Sequence, residues 1–472
     1  MSELELIGLA GLVLLFVLLA LRIPVGLAMI AVGIAGNYAL SLAAPYLRFE
    51  PYLKQFKTLL WNGLANYELS VVPLFVLMGY LASQTQLSRD LFQGLNALVG
   101  RLRGGVAMAA VCACAGFGAV CGSSLATAST MGRVALPELR RMRYDPKLAT
   151  GTLAAGGTLG ILIPPSIALV IYAIIVEASV IQMFQAAILP GLVAVAFFIG
   201  VIALQVRLKP ELAPLADPME EQARKQALIR LIPVLVIFGS IILGLGMGLF
   251  TPTPAAAVGV FAILAYGLLR RFQSNGLGTE SHQRGGLTLT GLREALLQTA
   301  VTSGMIYFIL FGAEVLKGFF TRAGLPTAMA GWAGTSGLDP WVILIVMLII
   351  LILLGCFMDS LAMILVVVPF LWPVLVDLNG GDYTTAATAA YGLDTEELKI
   401  WFGILALVVV ELGLITPPVG LNVFIISSLA ENVGMRAVFR GVMPFFSAEI
   451  VRVALLLSLP ALTLFMPRLL SG

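Results

Sequence analysis

Hydrophobic residues run in long blocks along this chain, without the strict apolar–polar alternation of strands. Ten blocks, 4–21, 24–42, 68–86, 150–176, 184–206, 231–249, 252–269, 296–316, 401–428 and 442–466, have spanning length. Each is near the ~20 residues that cross a bilayer core as a helix. Two further blocks, 104–139 and 339–375, are interrupted near the middle, at Gly122-Ser123-Ser124 and at Asp359-Ser360. Their arms are about 15–20 residues, short for full spans. They predict helical hairpins that enter the membrane and return; two complete spans would also return to the same side.

The order of blocks repeats. Residues 1–206 read span, span, span, hairpin, span, span, and residues 231–466 read the same, joined by a linker at 207–230. Five crossings per half is odd, so the second half starts on the opposite face. This is the pattern of an inverted-topology repeat. Echoes support it: Gly118 to Pro137 and Gly355 to Pro373 bracket the two hairpin tips, and a Pro-Pro pair interrupts the span after each hairpin. Ser88–Leu102 and Ala313–Thr327, mixed in polarity, are candidates for amphipathic arm helices along the interface. With the N-terminus outside, 19 Lys/Arg fall inside and 7 outside. That bias fits the positive-inside rule and puts both termini outside.

Composition agrees. Of 472 residues, 60% are hydrophobic and 11% charged, with mean hydropathy +1.01. A soluble domain carries about 25% charge, so a soluble enzyme and a disordered chain are both excluded. The net charge of +3 has no basic stripe for nucleic acid. Cys112, Cys114, Cys121 and Cys356 lie in small apolar surroundings with zinc spacing nowhere, and read as core residues. The single histidine, His282, sits in the polar stretch Gln273–Gly286, which argues against a histidine metal centre or a Ser-His-Asp triad. The first block has an acidic start (Glu3, Glu5) and lacks a basic leader, so it reads as a retained span.

Candidate chemistry sits at the interruptions. Proline has no N–H and clashes with the preceding turn, so the spans 150–176 and 401–428 must break at Pro164-Pro165 and Pro417-Pro418. Their freed carbonyls have to line a cavity or be buried in protein. Carbonyls and hydroxyls are hard oxygen ligands suited to an alkali cation. Broken helices in matching halves point to a transporter's binding site. Ser123, Ser124, Thr127, Ser129 and Thr130 supply hydroxyls at the first tip, and Asp359 and Ser360 stand at the equivalent point of the second. The second arm of each hairpin begins there, and a helix N-terminus suits a carboxylate. The candidate substrate contacts are Thr127, Ser166, Asp359, Ser360 and Asn422. The plainer readings are small-residue packing for the hydroxyl clusters and helix capping for Asp359. Glu411, an intramembrane acid, reads as a coupling residue, as a partner of Arg133 or Arg452, or as a residue facing the interface.

At Gly122–Thr127, Gly160–Ser166, Gly355–Pro373 and Gly413–Asn422 the chain resembles the large membrane subunit of TRAP (tripartite ATP-independent periplasmic) transporters, and the resemblance covers nearly its whole length. It implies sodium-driven import of a small organic acid, a C4-dicarboxylate or sugar acid for example, across the bacterial inner membrane by an elevator motion. A transport domain holding both hairpins and both broken helices would slide against a scaffold. A periplasmic substrate-binding protein would deliver substrate, and a separate small four-helix membrane subunit would complete the complex. One sodium site would use Ser123 and Ser124 with backbone at Gly160, Ile163 and Pro165. A second would use Gly355 with Gly413, Thr416 and the Val419 carbonyl.

No Walker A motif is present, so nothing in the chain points to ATP drive. The nearer rival is a stand-alone sodium/anion symporter that works without a binding protein. A channel and an intramembrane enzyme are remoter: the latter's HExxH and Gly-x-Gly-Asp motifs are absent, and the repeat supplies its own pseudo-symmetry. The outside loop Asp377–Lys399 and the inside linker are long and have no functional account.

Overall fold

The computed structural model describes residues 2–64, 67–215, 220–275 and 286–470. His282 and linker residues 216–219 lie outside the described residues. The described residues form twenty α-helices and no strand. In the first half these are α1 (Glu3–Ala20), α2 (Val25–Ala43), α3 (Phe49–Leu64), α4 (Val71–Gln84), α5 (Leu87–Val99), α6 (Gly105–Cys121), α7 (Ser124–Arg141), α8 (Pro146–Leu162), α9 (Ile167–Val176) and α10 (Val180–Leu208). The second half holds α11 (Glu221–Gly246), α12 (Pro252–Asn275), α13 (Leu289–Ala323), α14 (Leu325–Thr335), α15 (Pro340–Gly355), α16 (Ser360–Asn379), α17 (Thr395–Gly413), α18 (Leu421–Leu429), α19 (Met435–Ser458) and α20 (Ala461–Leu470). Eight described helices are long and apolar enough to cross a membrane, or ten if each of two bent pairs counts as one span. This is an all-helical polytopic membrane fold, whose exposed leucines and valines (Leu6, Val13, Val301, Leu353) suit a lipid surface.

Helix starts follow local chemistry. Asp145 caps α8 ahead of Pro146, Asp339 caps α15 ahead of Pro340, and Asp394 caps α17. Each side chain satisfies an N–H that the first turn leaves free, and proline at the first helical position loses no bond.

Several boundaries differ from the sequence expectation. The hairpins are α6–α7 and α15–α16. The arms α6 and α15 are short, at 17 and 16 residues, but α16 has 20 and is by itself long enough to cross. Ser88–Leu102 does become a helix, α5, turned 66° from the preceding span at Gln86, whose φ is +61°. Ala313–Thr327 is not a separate arm. The 35-residue α13 runs on to Ala323 and the chain turns only at Gly324, where φ is +72°. The block 442–466 is not one helix: α19 ends at Ser458 and α20 begins at Ala461. Leu459 is held out of the helical region (φ −129°, ψ 74°) because it precedes Pro460. The linker shortens to 209–220, since α10 extends to Leu208 and α11 begins at Glu221.

Helices α1, α2, α4, α11, α12 and α13 pack on one another, and α5 lies against α11 and α6. Buried Asp90 ties α5 to α12: it accepts from Tyr266 Oη at 2.6 Å and from Arg270 at 2.8 Å. The hairpins and broken helices pack elsewhere, with α8 central among α6, α7 and α19. The second arm of each hairpin also meets the other half: α7 lies against α18, and α16 against α9. The long loop after α16 is folded on its own bonds. Asn379 donates to the Leu393 carbonyl at 2.9 Å and accepts from Tyr391 N at 3.1 Å.

Candidate functional site

Each hairpin tip rests on the break of the broken helix that follows it. In the first half, α6 ends at Gly122 (φ +60°), and a Cβ there would lie 3.5 Å from the Pro165 carbonyl oxygen. In the second, Cys356 at the end of α15 donates through Sγ to the Pro417 carbonyl at 3.5 Å. Helix α8 stops at Leu162 and α9 restarts at Ile167, bent by 45°, with a cis peptide between Pro164 and Pro165. Helix α17 stops at Gly413 and α18 restarts at Leu421, with a cis peptide between Pro417 and Pro418.

Oxygen atoms gather at these points. A Cβ built on Gly160 would lie 2.5 Å from Thr127 Oγ1 and 2.9 Å from the Ser123 carbonyl oxygen. Ser123 itself is extended and caps α7, accepting from Ala126 N at 3.4 Å. Ser166 caps α9 in the same way, accepting from Leu169 N at 3.4 Å. Ile163 is half-buried beside the break, and Pro165 is buried in it. In the second half Thr416 donates back to the Leu412 carbonyl at 2.6 Å, which leaves its lone pairs free. Val419 is half-buried, and Pro417 and Pro418 are exposed. The second break is thus the more open of the two. Gly355 and Gly413 meet backbone to backbone.

Asp359 accepts from Ala362 N at 3.4 Å and caps α16. This is its plainer sequence reading, and it makes the tips unlike: α16 carries its own carboxylate at its N-terminus, whereas α7 is capped by a neutral hydroxyl. A ligand carboxylate is therefore better matched to α7.

Two candidate side chains have buried polar atoms without a hydrogen-bond partner, Thr127 Oγ1 and Asn422 Oδ1. Both lie against α8. Asn422 reaches it from the other half, donating to the Ala154 carbonyl at 3.4 Å, with Nδ2 3.0 Å from where a Cβ on Gly157 would stand. Buried polar atoms are nearly always paired; these two, from α7 and α18, face adjacent turns of α8 and have bonding capacity left for a ligand.

Glu411 is 1% exposed and pairs with neither Arg133 nor Arg452. Its carboxylate accepts from Ser124 and from Ser360. Arg133 is exposed, and Arg452 is bonded to Glu449 on its own helix and to the Pro190 carbonyl at 3.3 Å. The joint between Glu411 and both tips was not legible in the sequence. Its one signal is an acid two residues before Gly413 in an otherwise apolar run. An open cavity of about 790 Å³ lies away from the tips, between α5, α7 and α11, with Arg89, Arg101, Arg141 and Arg230 on its walls. That cavity also has an unpaired buried oxygen, Asn96 Oδ1, on its wall, but it lies apart from the breaks and tips, where the candidate residues meet.

Residues 12–462 match the family described as "Tripartite ATP-independent periplasmic transporter, DctM component". A Pseudomonas aeruginosa protein named as a C4-dicarboxylate TRAP transporter large permease is 32% identical, over 93% of this chain and 93% of that protein. A Vibrio cholerae protein named as a sialic acid TRAP transporter large permease is 30% identical, over 87% and 88%. Among solved structures, the Alcanivorax borkumensis YdaH transporter, described as having an unusual topology, superposes with a TM-score of 0.59. It covers 88% of this chain and 89% of its own at 15% identity, a likeness of fold alone. These relatives are named as transporter permeases and not as enzymes. The chain belongs to the DctM component family of tripartite ATP-independent periplasmic transporters.

Proposed function

We propose that this chain is the membrane subunit through which a small organic anion enters the cell, driven by sodium. The observation that carries the reading is the pair of orphaned polar atoms, Thr127 Oγ1 and Asn422 Oδ1, set beside two proline breaks and two hairpin tips. Sodium would meet Ser123 and Ser124 with backbone at Gly160, Ile163 and Pro165, and, in the other half, Gly355, Gly413, Thr416 and Val419. The donors are all uncharged oxygens, the chemistry a monovalent hard cation needs. Substrate would meet Thr127, Ser166, Ser360 and Asn422, with its carboxylate toward the N-terminus of α7 and Asp359 capping the opposite tip. The named relatives suggest the class: C4-dicarboxylates and sialic acid both carry carboxylates.

In this reading residues 1–206 and 231–466 are inverted repeats, and the protein works as an elevator. The hairpins and broken helices move as a transport domain against a scaffold that includes α1, α2, α4 and α11 to α13. A small four-helix membrane subunit and a periplasmic binding protein are the partners, in the bacterial inner membrane with both termini periplasmic. The test is uptake of a labelled C4-dicarboxylate and of sialic acid into proteoliposomes holding the complete complex. The expected result is uptake only with an inward sodium gradient and the binding protein. Equal uptake without the binding protein would establish the solitary symporter instead, and equal uptake in potassium would remove sodium.

A further inference from the structure

The transport reading leaves Glu411 without a task, yet its contacts are specific. Ser124 is the first residue of α7 and Ser360 the first of α16. Each follows the capping residue of its hairpin's second arm, so the two serines hold equivalent places in the two halves. Both donate to the same buried carboxylate, one to each oxygen. Counting back from the matching glycines, the counterpart of Glu411 before Gly413 is Thr158 before Gly160. Thr158 turns its hydroxyl to the Ala155 carbonyl at 2.7 Å and joins nothing. The joint is therefore one-sided: a single acid on α17 serves both tips. Among the described residues no cationic side chain is bonded to it, because Arg452 is committed to Glu449 and Pro190.

We infer that Glu411 is a positioning residue that ties the two hairpin tips together, so that ligand occupancy at one tip alters the other. For the ligand this rests on the sodium reading above; for the joint it rests on the contacts alone. A serine hydroxyl has one proton and two acceptor lone pairs. Once its proton is given to Glu411, both lone pairs of Ser124 and of Ser360 face away from the acid and are free for a cation or a substrate donor. An outer carboxylate that fixes a ligand's orientation is the usual support of a metal's inner shell. Here one carboxylate fixes two. Removing one serine leaves Glu411 a single donor. Removing both leaves a buried carboxylate with none, which costs disproportionately more. The two serine substitutions should therefore fail to add.

The experiment is thermal unfolding of the purified full chain, titrated with NaCl or KCl at equal ionic strength. Ser124→Ala, Ser360→Ala and the double variant are compared with Glu411 intact, and again with Glu411→Met, which matches its length but accepts no hydrogen bond. With Glu411 intact, the double variant should lower the unfolding midpoint by more than the sum of the singles. With Glu411→Met the two effects should add. Ser360→Ala, which removes no proposed sodium ligand, should also raise the sodium concentration for half-maximal stabilisation by about fivefold, the lower end of ordinary site–site coupling. Glu411→Gln can still accept from one serine and donate to the other, and should keep the non-additivity. If the Met series does not fold, Glu411→Leu, which likewise accepts no hydrogen bond, takes its place, and additive losses there support the joint. Additive serine effects with Glu411 intact overturn the joint, whether or not sodium stabilises the chain. An unchanged sodium half-point for Ser360→Ala with non-additive stability reduces Glu411 to a structural brace and overturns the link to ligand. If sodium stabilises no better than potassium, the sodium reading fails, and additivity in KCl alone still decides the joint.

Discussion

Gly118 of α6 and Gly160 of α8 touch backbone to backbone: a Cβ on Gly118 would stand 2.3 Å from the Gly160 Cα. Gly413 meets Gly355 in the corresponding way, at 2.7 Å. Each hairpin's first arm is thus pressed onto the helix that breaks beside its tip, and only the absence of side chains permits it.

Gly118→Ala should open that contact. Overpacking of a filled interior costs about 1–3 kcal/mol, and the moved tip should lose ligand affinity as well. The check is the unfolding midpoint together with uptake by the complete complex. Gly200→Ala on α10 is the control, since nothing lies within 4 Å of its Cβ position. It should leave both unchanged or raise stability slightly, because alanine is the better helix former.

Sodium should raise the unfolding temperature of the purified chain above that in potassium or lithium at equal ionic strength. A ligand bound only by the folded state adds about 2.7 kcal/mol at one hundred times Kd. Thr416→Val removes a hydroxyl whose lone pairs are free at the open second break, and should shift the sodium titration to higher concentration. Equal curves in all three salts would count against the sites on the isolated chain, and a repeat with the small membrane subunit present would then decide the matter.

The Glu449–Arg452 pair is buried on both sides, 2% and 0% exposed. Arg452→Met alone leaves Glu449 charged and unpartnered, which should cost about 3–5 kcal/mol. Adding Glu449→Gln, which discharges the abandoned partner, should recover most of the loss, because a buried pair gains little over uncharged side chains that fill the same space. Unfolding midpoints of the three proteins test this. A double variant as unstable as Arg452→Met would mean that the Arg452 bond to the Pro190 carbonyl is what matters.

The charge count predicts which face each loop occupies. In a background lacking the four native cysteines, Tyr383→Cys should react with a membrane-impermeant thiol reagent added to spheroplasts. Tyr383 is fully exposed in the loop after α16. Lys209→Cys, exposed just after α10, should react only once the membrane is opened. The opposite pattern would invert the topology.

Much of the fold was legible in the chain because the bilayer sets one length and one polarity for every span. Blocks of apolar residues, the two interruptions and the two Pro-Pro breaks are local properties, and each reappears as a helix, a tip or a broken helix. The boundaries that moved did so for reasons a hydropathy block cannot register. Ala313–Ala323 stays helical because no strong breaker precedes Gly324, and Leu459 leaves the helix because Pro460 follows. Capping of α16 by Asp359 was also within reach, since a cap bonds only three residues ahead.

What only the tertiary structure decided is which distant groups share a space. Asn422 lies against α8, 268 positions from Ala154, and Glu411 collects Ser124 and Ser360, 287 and 51 positions away. The sequence offered Arg133 and Arg452 as partners for that acid because opposite charges attract. Packing decided otherwise: Arg452 finds Glu449 one helical turn away, Arg133 stays exposed, and Glu411 is left to the two serines. Local spacing determines helices and breaks through bonds a few residues long. The partner of a buried polar atom depends on how whole helices are laid together, and a single chain's pattern does not encode it position by position.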